Sequence, residues 1–509
     1  MLQIVWFKRD LRVQDNEALS RAAENGIVLP LYIVEPGLWR QPDMSGRHWA
    51  FIREGLLSLS QDLARLGQPL IIRSGEAVEV LKTLLDQNPV AGVWSHQETG
   101  NAWTYRRDQA VEGLLRERGI PWHQPRQHGV VRGPVDRDGW SRQWEALMTE
   151  PRFTPPILRG VAGADPGEPP DRPDHGMPDD LCPGRQCGGR AAAEQALHSF
   201  LEQRGARYHL EMSSPRTASS SCSRLSAHLA WGTLSMREVL QATRRRRTQI
   251  KQLAPAQRGA WGRALAAFEG RLHWHCHFMQ KLESEPRFEF ENMQRATAGL
   301  RDEQCDTVRL RAWRTGNTGW PLVDACMRSL AHTGWINFRM RAMLMSVASY
   351  QLWLHWREPA LHLARQFVDY EPGIHYSQAQ MQSGTTGINT LRIYNPVKQS
   401  LDQDPDGTFI RTWLPELSRV DKAWIHTPWL MPEADQRKCG VLIGRDYPAP
   451  LVDHEVAARL ARQQIQQVRR TSEARSESRG IYDRHGSRKR PQRSRRRKSQ
   501  QPNLFNDGS

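Results

Sequence analysis

The chain has 509 residues, of which 71 are Lys or Arg and 55 are Asp or Glu, giving a formal net charge of +16 at pH 7. One hydrophobic core seldom serves so long a chain, so two or three domains are expected, and the basic charge favours a polyanionic partner. Seven scattered cysteines without a C-x-x-C pair exclude a four-thiolate zinc or iron–sulfur site and fit a reduced, cytoplasmic protein.

Residues 1–135 alternate short apolar runs with amphipathic segments. Strands are predicted at LQIVWF, IVLPLYIVE, PLIIRSG and AGVWSHQ, which begin at Leu2, Ile27, Pro69 and Ala91. Between the second and third strands, apolar residues recur every three or four positions within residues 45–67, which predicts a helix with one buried face. Strands that alternate with helices indicate a doubly wound parallel sheet, and without a GxGxxG motif a nicotinamide cofactor is not indicated.

Composition divides the rest of the chain. Residues 136–190 are rich in Pro, Gly and Asp and predict an interdomain linker, whereas residues 191–455 carry long helical patterns and predict an all-α second domain. Residues 471–509 have few apolar side chains, so a disordered basic tail is expected. The N-terminal apolar run is too short for a signal peptide and no stretch is apolar enough to span a membrane, so no membrane partner is expected.

The stretch from Gly316 to Glu358 places arginines inside apolar, helix-forming sequence. Arg339 and Arg341 lie among methionines and leucines, and a desolvated guanidinium needs an anionic or hydrogen-bonding partner. The elements TGW-P-VDA-MR-L and TGW-N-R-R, followed by HWRE, resemble the flavin-binding helical domain of the photolyase and cryptochrome family. The N-terminal IVWFKRDLRVQDNEAL and the later RIYNPVKQS and FIRTWLPEL resemble other segments of that family.

The resemblance implies an antenna-type α/β domain followed by a helical domain that binds FAD, with a second, light-harvesting chromophore of unidentified kind. It places phosphate contacts in the segment SSCSRLS, where hydroxyls and backbone N–H groups at the start of a helix suit a pyrophosphate. Its implied cofactor contacts are Tyr208, Cys222, Ser223, Arg224, Leu225, Ser226, His275, Arg341, Asp369, Glu371 and His375. Asp369 and Arg341 are expected to pair beside the flavin ring, which would tune the charge on it.

Electron transfer to the flavin is the least regular part of the resemblance. The family's flavin-proximal tryptophan falls at Ala379 or Ser377, whereas Trp356 keeps the middle position of its tryptophan chain. Trp356, Trp335 and His375 are therefore the predicted catalytic residues, with His375 in the place of an asparagine that faces the flavin. The best substitutes for a rerouted chain are Trp335, Trp353 and Tyr376.

A DNA-binding edge is implied around RLHWHCHFMQKLE. Trp274 keeps the aromatic on which a damaged base would stack, but Arg271 and His275 replace an acid or amide and an arginine of the family. Gln399 in NPVKQ is the third predicted DNA contact. No metal site is expected from the alternating histidines at 273, 275 and 277, because alternate residues do not share a face of a helix.

These residues favour light-driven repair of pyrimidine dimers in DNA, with the cyclobutane dimer ahead of the (6-4) lesion. A cryptochrome-like light sensor without repair activity is the first alternative, since the lesion contacts at Arg271 and His275 are altered. A flavin or nucleotide-binding protein without photochemistry is the second alternative. A bacterial, cytoplasmic and nucleoid-associated location follows from the repair hypothesis.

The last residues, QPNLFNDGS, suggest a second partner. Gln501, Leu504 and Phe505 fit the Q-x-x-L-F pattern of short peptides with which bacterial DNA-repair proteins bind the sliding clamp. A tether that offers two adjacent apolar anchors and an amide suits a hydrophobic groove, although a chance match in a Gln-rich tail is equally open.

Overall fold

The computed structural model describes residues 1–486 apart from 134, 162, 164, 175, 179 and 181. Its first domain contains a five-stranded, all-parallel sheet in the order β3-β2-β1-β4-β5. The strands are β1 (Leu2–Phe7), β2 (Ile27–Val34), β3 (Ile71–Ser74), β4 (Val90–Trp94) and β5 (Trp122–His123). The predicted parallel, doubly wound sheet is confirmed, and β5 is too short for a sequence pattern to reveal.

Helices cover both faces of this sheet. They are α1 (Glu17–Asn25), α2 (Pro36–Trp39), α3 (Gly46–Leu66), α4 (Ala77–Gln87) and α5 (Ala102–Glu117). Apolar residues of α1 and α3 pack on one face, and those of α4 and α5 pack on the other. The helix predicted within residues 45–67 is confirmed as α3, because its three- and four-residue spacing places Ile52, Leu56, Leu59 and Leu63 in the core.

The prediction of a linker is wrong for the first part of the segment 136–190. Helix α6 (Arg137–Thr149) begins at the predicted boundary and buries Trp140, Trp144 and Met148 against helices of the second domain. Those apolar residues recur every four positions, which is the helical signal that the Pro- and Gly-rich composition downstream obscured. Among the described residues of 150–189 there is no helix or strand, as expected for a connecting segment.

The second domain is helical, as predicted. Its α-helices are α7 (Arg190–Glu202), α8 (Tyr208–Glu211), α9 (Pro215–Ser221), α10 (Ser226–Ala230), α11 (Met236–Gln252), α12 (Pro255–Arg258), α13 (Trp261–Ser284), α14 (Thr307–Thr315), α15 (Pro321–Thr333), α16 (Phe338–Ser346), α17 (Arg357–Gln366), α18 (Pro372–Ser383), α19 (Pro396–Gln403), α20 (Thr408–Trp413) and α21 (Glu433–Cys439). A π-helical segment (Val347–Gln351) continues α16, and 3₁₀ turns cover Arg204–Arg207, Pro286–Glu289, Arg295–Thr297, Pro415–Leu417 and Pro428–Leu430.

Two further helices extend beyond the predicted end of this domain at 455. They are α22 (His454–Arg469) and α23 (Ser472–His485), so the prediction of a disordered tail is wrong for its first part. Helix α23 is held by Glu477, which accepts hydrogen bonds from the backbone N–H groups of Arg295 and Ala296, and by His485, whose Nε2 is 2.7 Å from Glu285. Residues 487–509 lie outside the described part of the chain.

One hydrophobic cluster spans the two domains. A cluster on the α1 and α3 face of the sheet continues into the second domain through Trp231, Val368 and Tyr370. Polar contacts cross the same interface: Trp231 donates its indole N–H to the Val368 carbonyl at 2.8 Å, and Arg9 of the first domain donates to the Tyr370 carbonyl at 2.7 Å. The loop that carries Asp369 and Glu371 is therefore fixed against the first domain.

Candidate functional site

A bidentate ion pair lies at the centre of the second domain. Arg341 on α16 donates to both carboxylate oxygens of Asp369 at 2.9 and 2.8 Å, and its Nε donates to the Ile336 carbonyl at 2.7 Å. Burial raises the pKa of Asp369, but Arg341 and the Ser226 hydroxyl outweigh burial and lower it overall. Asp369 is therefore a fixed negative charge, and the predicted Arg341–Asp369 contact is present.

The loop before α10 is shaped by its carbonyl groups. Arg204 donates to the carbonyls of Cys222 and Ser223, and the Gln186 amide donates to the Arg224 carbonyl at 3.0 Å. Arg224 itself has a left-handed backbone conformation with φ of 61°. The Ser226 hydroxyl is bonded to Asp369, and the Ser223 Oγ accepts from the Leu225 N–H at 3.4 Å, so the Ser223 hydroxyl proton is the side-chain donor that the loop can offer a ligand. Helix α10 has only five residues, so its dipole contributes little to anion binding.

Positive charge exceeds negative charge around this loop. The Cys222 thiol has its pKa raised to about 11 by burial, although Arg224, Arg204, Arg271 and Arg341 all lie near enough to oppose the shift. Among the described residues, only Arg341 of these four has a carboxylate partner. Burial lowers the pKa of Arg224 to about 10, and its guanidinium stacks 3.9 Å from the ring centroid of Trp335. Such a surplus of cations matches a pyrophosphate.

Unpaired polar atoms lie on the other side of the ion pair. Glu371 is 7% exposed; its Oε2 is 3.3 Å from Arg9, while its Oε1 is buried without a hydrogen-bond partner. The Nδ1 atom of His275 on α13 is likewise buried without a partner. Burial raises the pKa of Glu371 to about 7 and lowers the pKa of His275 to about 4. Buried polar atoms are normally paired, so these two indicate a ligand with complementary groups.

Together these residues fit a flavin dinucleotide. The arginine surplus and the Ser223 hydroxyl suit its phosphates, and the Arg341–Asp369 pair suits a polar ring edge. The unpaired atoms of Glu371 and His275 suit ring donors and acceptors. Tyr208, at the start of α8, is buried beside Phe268 and near Arg271. We call this set the cradle: Tyr208, Cys222, Ser223, Arg224, Leu225, Ser226, His275, Arg341, Asp369 and Glu371.

His375 lies among aromatic side chains behind the cradle. Its Nε2 is 2.8 Å from the Ala360 carbonyl, and its ring is 5.4 Å from that of Tyr370 and 5.5 Å from that of Tyr376. Burial lowers its pKa to about 4, so the imidazole is neutral and donates to that carbonyl. A direct contact between His375 and the flavin stays a prediction. Trp356 is fully buried, and its ring centroid is 6.4 Å from that of Tyr376. Trp335 instead contacts Arg224 of the cradle.

Helix α13 carries an aromatic shelf, which we define as Arg271, Trp274, Phe278 and Lys281. Half-buried Trp274 and Phe278 stack with ring centroids 5.4 Å apart, Lys281 lies 5.2 Å from the Phe278 ring, and Arg271 is exposed. Burial lowers the pKa of Lys281 to about 8. The sequence predicted Arg271 and Trp274 but missed Phe278 and Lys281, whose spacing of four and seven from Trp274 is the signal that could have shown them.

The shelf and the cradle share α13. Ser377 on α18 donates its hydroxyl to the Phe278 carbonyl at 3.2 Å, which fixes the shelf against the helix that follows Glu371. Gln399 does not join them: it lies on α19, only 9% exposed, with a buried and unpartnered Oε1. Its DNA contact stays a prediction. Gln501, Leu504 and Phe505 lie outside the described residues.

Two of the three α13 histidines share a neighbour, Trp140, and the third does not. His273 contacts the rings of Trp140 and Trp144, His275 lies 6.4 Å from His128, and His277 contacts Trp274. Burial lowers the pKa of His277 to about 2, so this imidazole is neutral. His273 and His277, one helical turn apart, therefore both pack α13 against Trp140, whereas His275 lies beside His128.

A second buried charged group lies in the first domain. Arg107 on α5 donates to Glu35 at 2.7 Å, to Asp108 at 2.9 Å and to Glu98, and Lys8 is 3.2 Å from Asp108. Both cations lie within 5 Å of the Trp6 ring centroid. We call these five residues, Lys8, Glu35, Glu98, Arg107 and Asp108, the ion cluster. Burial raises the pKa of Glu35 to about 7 despite its bond to Arg107.

Two family descriptions match this chain. Residues 3–136 match "DNA photolyase" and residues 268–467 match "FAD binding domain of DNA photolyase". A deoxyribodipyrimidine photo-lyase from Streptomyces griseus is 31% identical over 90% of this chain and 98% of its own length. A cryptochrome DASH from Gloeobacter violaceus is 29% identical over 88% of this chain and 93% of its own length.

Solved structures agree with these sequence matches. A bacterial class III photolyase from Agrobacterium tumefaciens superposes with a TM-score of 0.80 at 25% identity, covering 92% of this chain and 98% of its own. The FAD-binding domain is thus present, and the cradle lies partly within its matched range and partly in the 204–226 segment before it. Within the described residues, no helix is long and apolar enough to cross a membrane.

Proposed function

We propose that this chain, which belongs to the photolyase and cryptochrome family, repairs pyrimidine dimers in DNA with blue light. The observation that carries the proposal is the aromatic shelf on α13. Trp274 and Phe278 offer a stacked, half-buried platform between Arg271 and Lys281, on the same helix that gives His275 to the cradle. A light sensor that never holds a damaged base has no need for such a platform.

Bound FAD would supply the light-driven electron that splits the dimer. Arg341 and Asp369 would fix the charge beside its ring, and Glu371 and His275 would orient the ring through their unpaired atoms. Trp274 would stack on the extruded lesion, an interaction worth about 1–3 kcal/mol. The exposed Arg271 would hold a flanking phosphate, whereas Lys281 is buried against the Phe278 ring and supports the shelf. Extrusion costs least at a damaged base pair.

A cryptochrome-like sensor is the second candidate, and the Gloeobacter relative carries that name. The observation in its favour is that Arg271 and His275 stand where the family has an acid or amide and an arginine. Both candidates need FAD, so cofactor content does not separate them. A second, light-harvesting chromophore is part of either proposal.

Repair of defined oligonucleotides separates the two candidates. Purified protein, chemically reduced, is mixed with an oligonucleotide that holds one cyclobutane dimer or one (6-4) lesion, in blue light and in darkness. We expect light-dependent loss of the cyclobutane dimer only. Full flavin content with no repair of either lesion would leave the sensor as the better function.

Trp274→Ala tests the shelf itself. Because stacking on an extruded base exists only in the specific complex, binding to dimer-containing DNA should weaken by about 1–3 kcal/mol while binding to undamaged DNA changes little. Trp261→Ala is the matched control, since Trp261 is a half-buried tryptophan at the other end of α13. Equal losses on damaged and undamaged DNA would give Trp274 a purely structural role.

We also propose that the C-terminal QPNLF binds the bacterial sliding clamp through Gln501, Leu504 and Phe505. A peptide of residues 495–509 should bind a purified clamp in the micromolar range, where a Kd of 1 μM corresponds to about −8 kcal/mol. Replacing Leu504 and Phe505 together by Ala should abolish binding and leave repair of free oligonucleotides unchanged. Calorimetry that finds equal binding by the double variant would reduce the tail to a nonspecific DNA-attracting arm.

A further inference from the structure

A buried carboxylate joins the two domains behind the cradle. Asp43, in the turn between α2 and α3 of the first domain, is 2% exposed. Its Oδ2 accepts hydrogen bonds from the Tyr370 hydroxyl at 2.5 Å, the Tyr376 hydroxyl at 3.3 Å and the Asn101 amide at 3.0 Å. Both tyrosines belong to the segment that carries Asp369 and Glu371, so Asp43 reaches across the interface to the edge of the cofactor site.

Asp43 has no counter-charge in contact. In the described part of the chain no Lys, Arg or His forms an ion pair with it, and its Oδ1 is buried without a hydrogen-bond partner. Across the interface, Glu289 is 7% exposed, and its pKa is raised to about 7 by burial and by Asp43. The direct contacts of the buried Asp43 carboxylate are therefore hydrogen bonds from neutral groups.

Aromatic rings connect this carboxylate to Trp356. The Tyr376 ring is 6.4 Å from Trp356 and 5.5 Å from His375, and His375 is 5.4 Å from Tyr370. Trp356, Tyr370 and Tyr376 are at most 1% exposed, so water cannot accept a phenolic proton there. Burial followed by Asp43 holds the pKa of both tyrosines far above 10, so neither hydroxyl ionises by itself.

We propose that Tyr376 and Asp43 form a proton-coupled electron relay at the domain interface, which takes the place of the missing flavin-proximal tryptophan. Tyr376 gives one electron to a photoexcited oxidised flavin and, along its hydrogen bond, one proton to Asp43 Oδ2. The products on this chain are a neutral tyrosyl radical and a protonated Asp43. An added thiolate then gives one electron to the radical and becomes a thiyl radical, while Asp43 returns the proton to the Tyr376 oxygen. The relay rests on the proposed function, because it needs a bound flavin.

Tyr376 is the oxidised residue because only its ring, of the two tyrosines, contacts Trp356. Tyr370, with the shorter 2.5 Å bond, and Asn101 hold the carboxylate in place. Asp43 is thus the proton acceptor, and the hole stays on Tyr376 once the proton has moved. A merely structural contact between the domains would need the hydrogen bonds but not the transferable proton.

Electron paramagnetic resonance of the illuminated, oxidised holoprotein with ring-deuterated tyrosine tests the relay. We expect a tyrosyl signal in the unaltered protein and in Tyr370→Phe, and none in Tyr376→Phe. Asp43→Asn keeps an acceptor for both hydroxyls but loses the proton-accepting carboxylate, so the radical should form about 100-fold more slowly. Thermal unfolding of the same variants shows whether the fold is retained. If Asp43→Asn does not fold, the loss of the tyrosyl signal in Tyr376→Phe still tests the relay.

Each outcome bears on a stated part of the proposal. Protein without flavin absorbance would overturn the proposed function together with the relay. Flavin-loaded protein that yields only a tryptophan radical, lost in Trp356→Phe and unchanged in Tyr376→Phe, would overturn the relay and leave the proposed function standing. A tyrosyl signal that Asp43→Asn leaves equally fast would overturn the role of Asp43.

Discussion

Two buried clusters of charged side chains in this protein differ in their balance of positive and negative charge. In the ion cluster of the first domain, the cations Lys8 and Arg107 meet Glu98, Asp108 and a Glu35 whose pKa is raised to about 7. With Glu35 protonated, the charges cancel. In the second domain, four arginines lie around the Cys222 loop of the cradle, and among the described residues only one of them, Arg341, has a carboxylate partner, Asp369. A closed set of charges holds a fold together, whereas a surplus of one sign marks where an anionic ligand belongs.

Among the substitutions that test this difference between the two charged groups, Arg341→Ala should have the largest effect on stability and on FAD content. It leaves Asp369 buried without its partner, and breaking a buried pair from one side costs about 3–5 kcal/mol. We expect a matching loss in the free energy of unfolding, measured by denaturant titration, together with loss of copurified FAD.

Arg107→Ala is the control from the ion cluster. It breaks three contacts to acids and should destabilise the protein comparably, but the folded fraction should keep its flavin. If both variants lost flavin to the same extent at equal stability, the two charged groups would not differ in function.

Glu35→Gln should have an intermediate effect on the free energy of unfolding, and this effect should depend on pH. The folded pKa of Glu35 is raised from 4.5 to about 7, so the native state binds more protons than the unfolded state in that window and stability falls as pH rises through it. Above about pH 7 the neutral glutamine should therefore stabilise the protein by on the order of 2 kcal/mol, and below pH 4.5 the difference should vanish. Thermal unfolding of both proteins across this range measures it. A gain that is the same at all pH values would mean that Glu35 does not titrate as the balance of charges requires.

Arg224→Leu should have the smallest effect on the free energy of unfolding. Its effect should be on the affinity for FAD instead. Arg224 has no carboxylate partner in the described structure, so removing its buried charge should leave the flavin-free protein as stable or more stable. FAD affinity should fall about tenfold or more, equivalent to about 1.4 kcal/mol. Reconstitution of flavin-free protein, followed by fluorescence titration, gives both quantities.

Arg246→Leu is the matched control for Arg224→Leu. Arg246 also lies over a tryptophan, 5.5 Å from the ring centroid of Trp261, but it is paired with Glu202 at 3.0 Å. Unchanged FAD affinity in both variants would place the phosphates elsewhere.

Local sequence patterns were enough to predict several parts of the structure. The parallel sheet and α3 follow from strand and helix periodicities that any short window contains, and the Arg341–Asp369 contact follows from motifs that resemble a family. Helix α23 escaped prediction because its buried residues, Ala474, Ile481 and His485, form a stripe too sparse to show periodicity. Its stability comes from contacts with Glu285 and the 295–296 backbone, far away in the chain.

The sequence by itself determined the two-domain order, the parallel sheet and the family, because these depend on residues close together in the chain. Only the tertiary structure decided that Asp43 joins Tyr370 and Tyr376, which lie 327 and 333 positions away. The physical reason is that a hydrogen bond across a domain interface depends on how two cores pack, and no local period or motif carries that information.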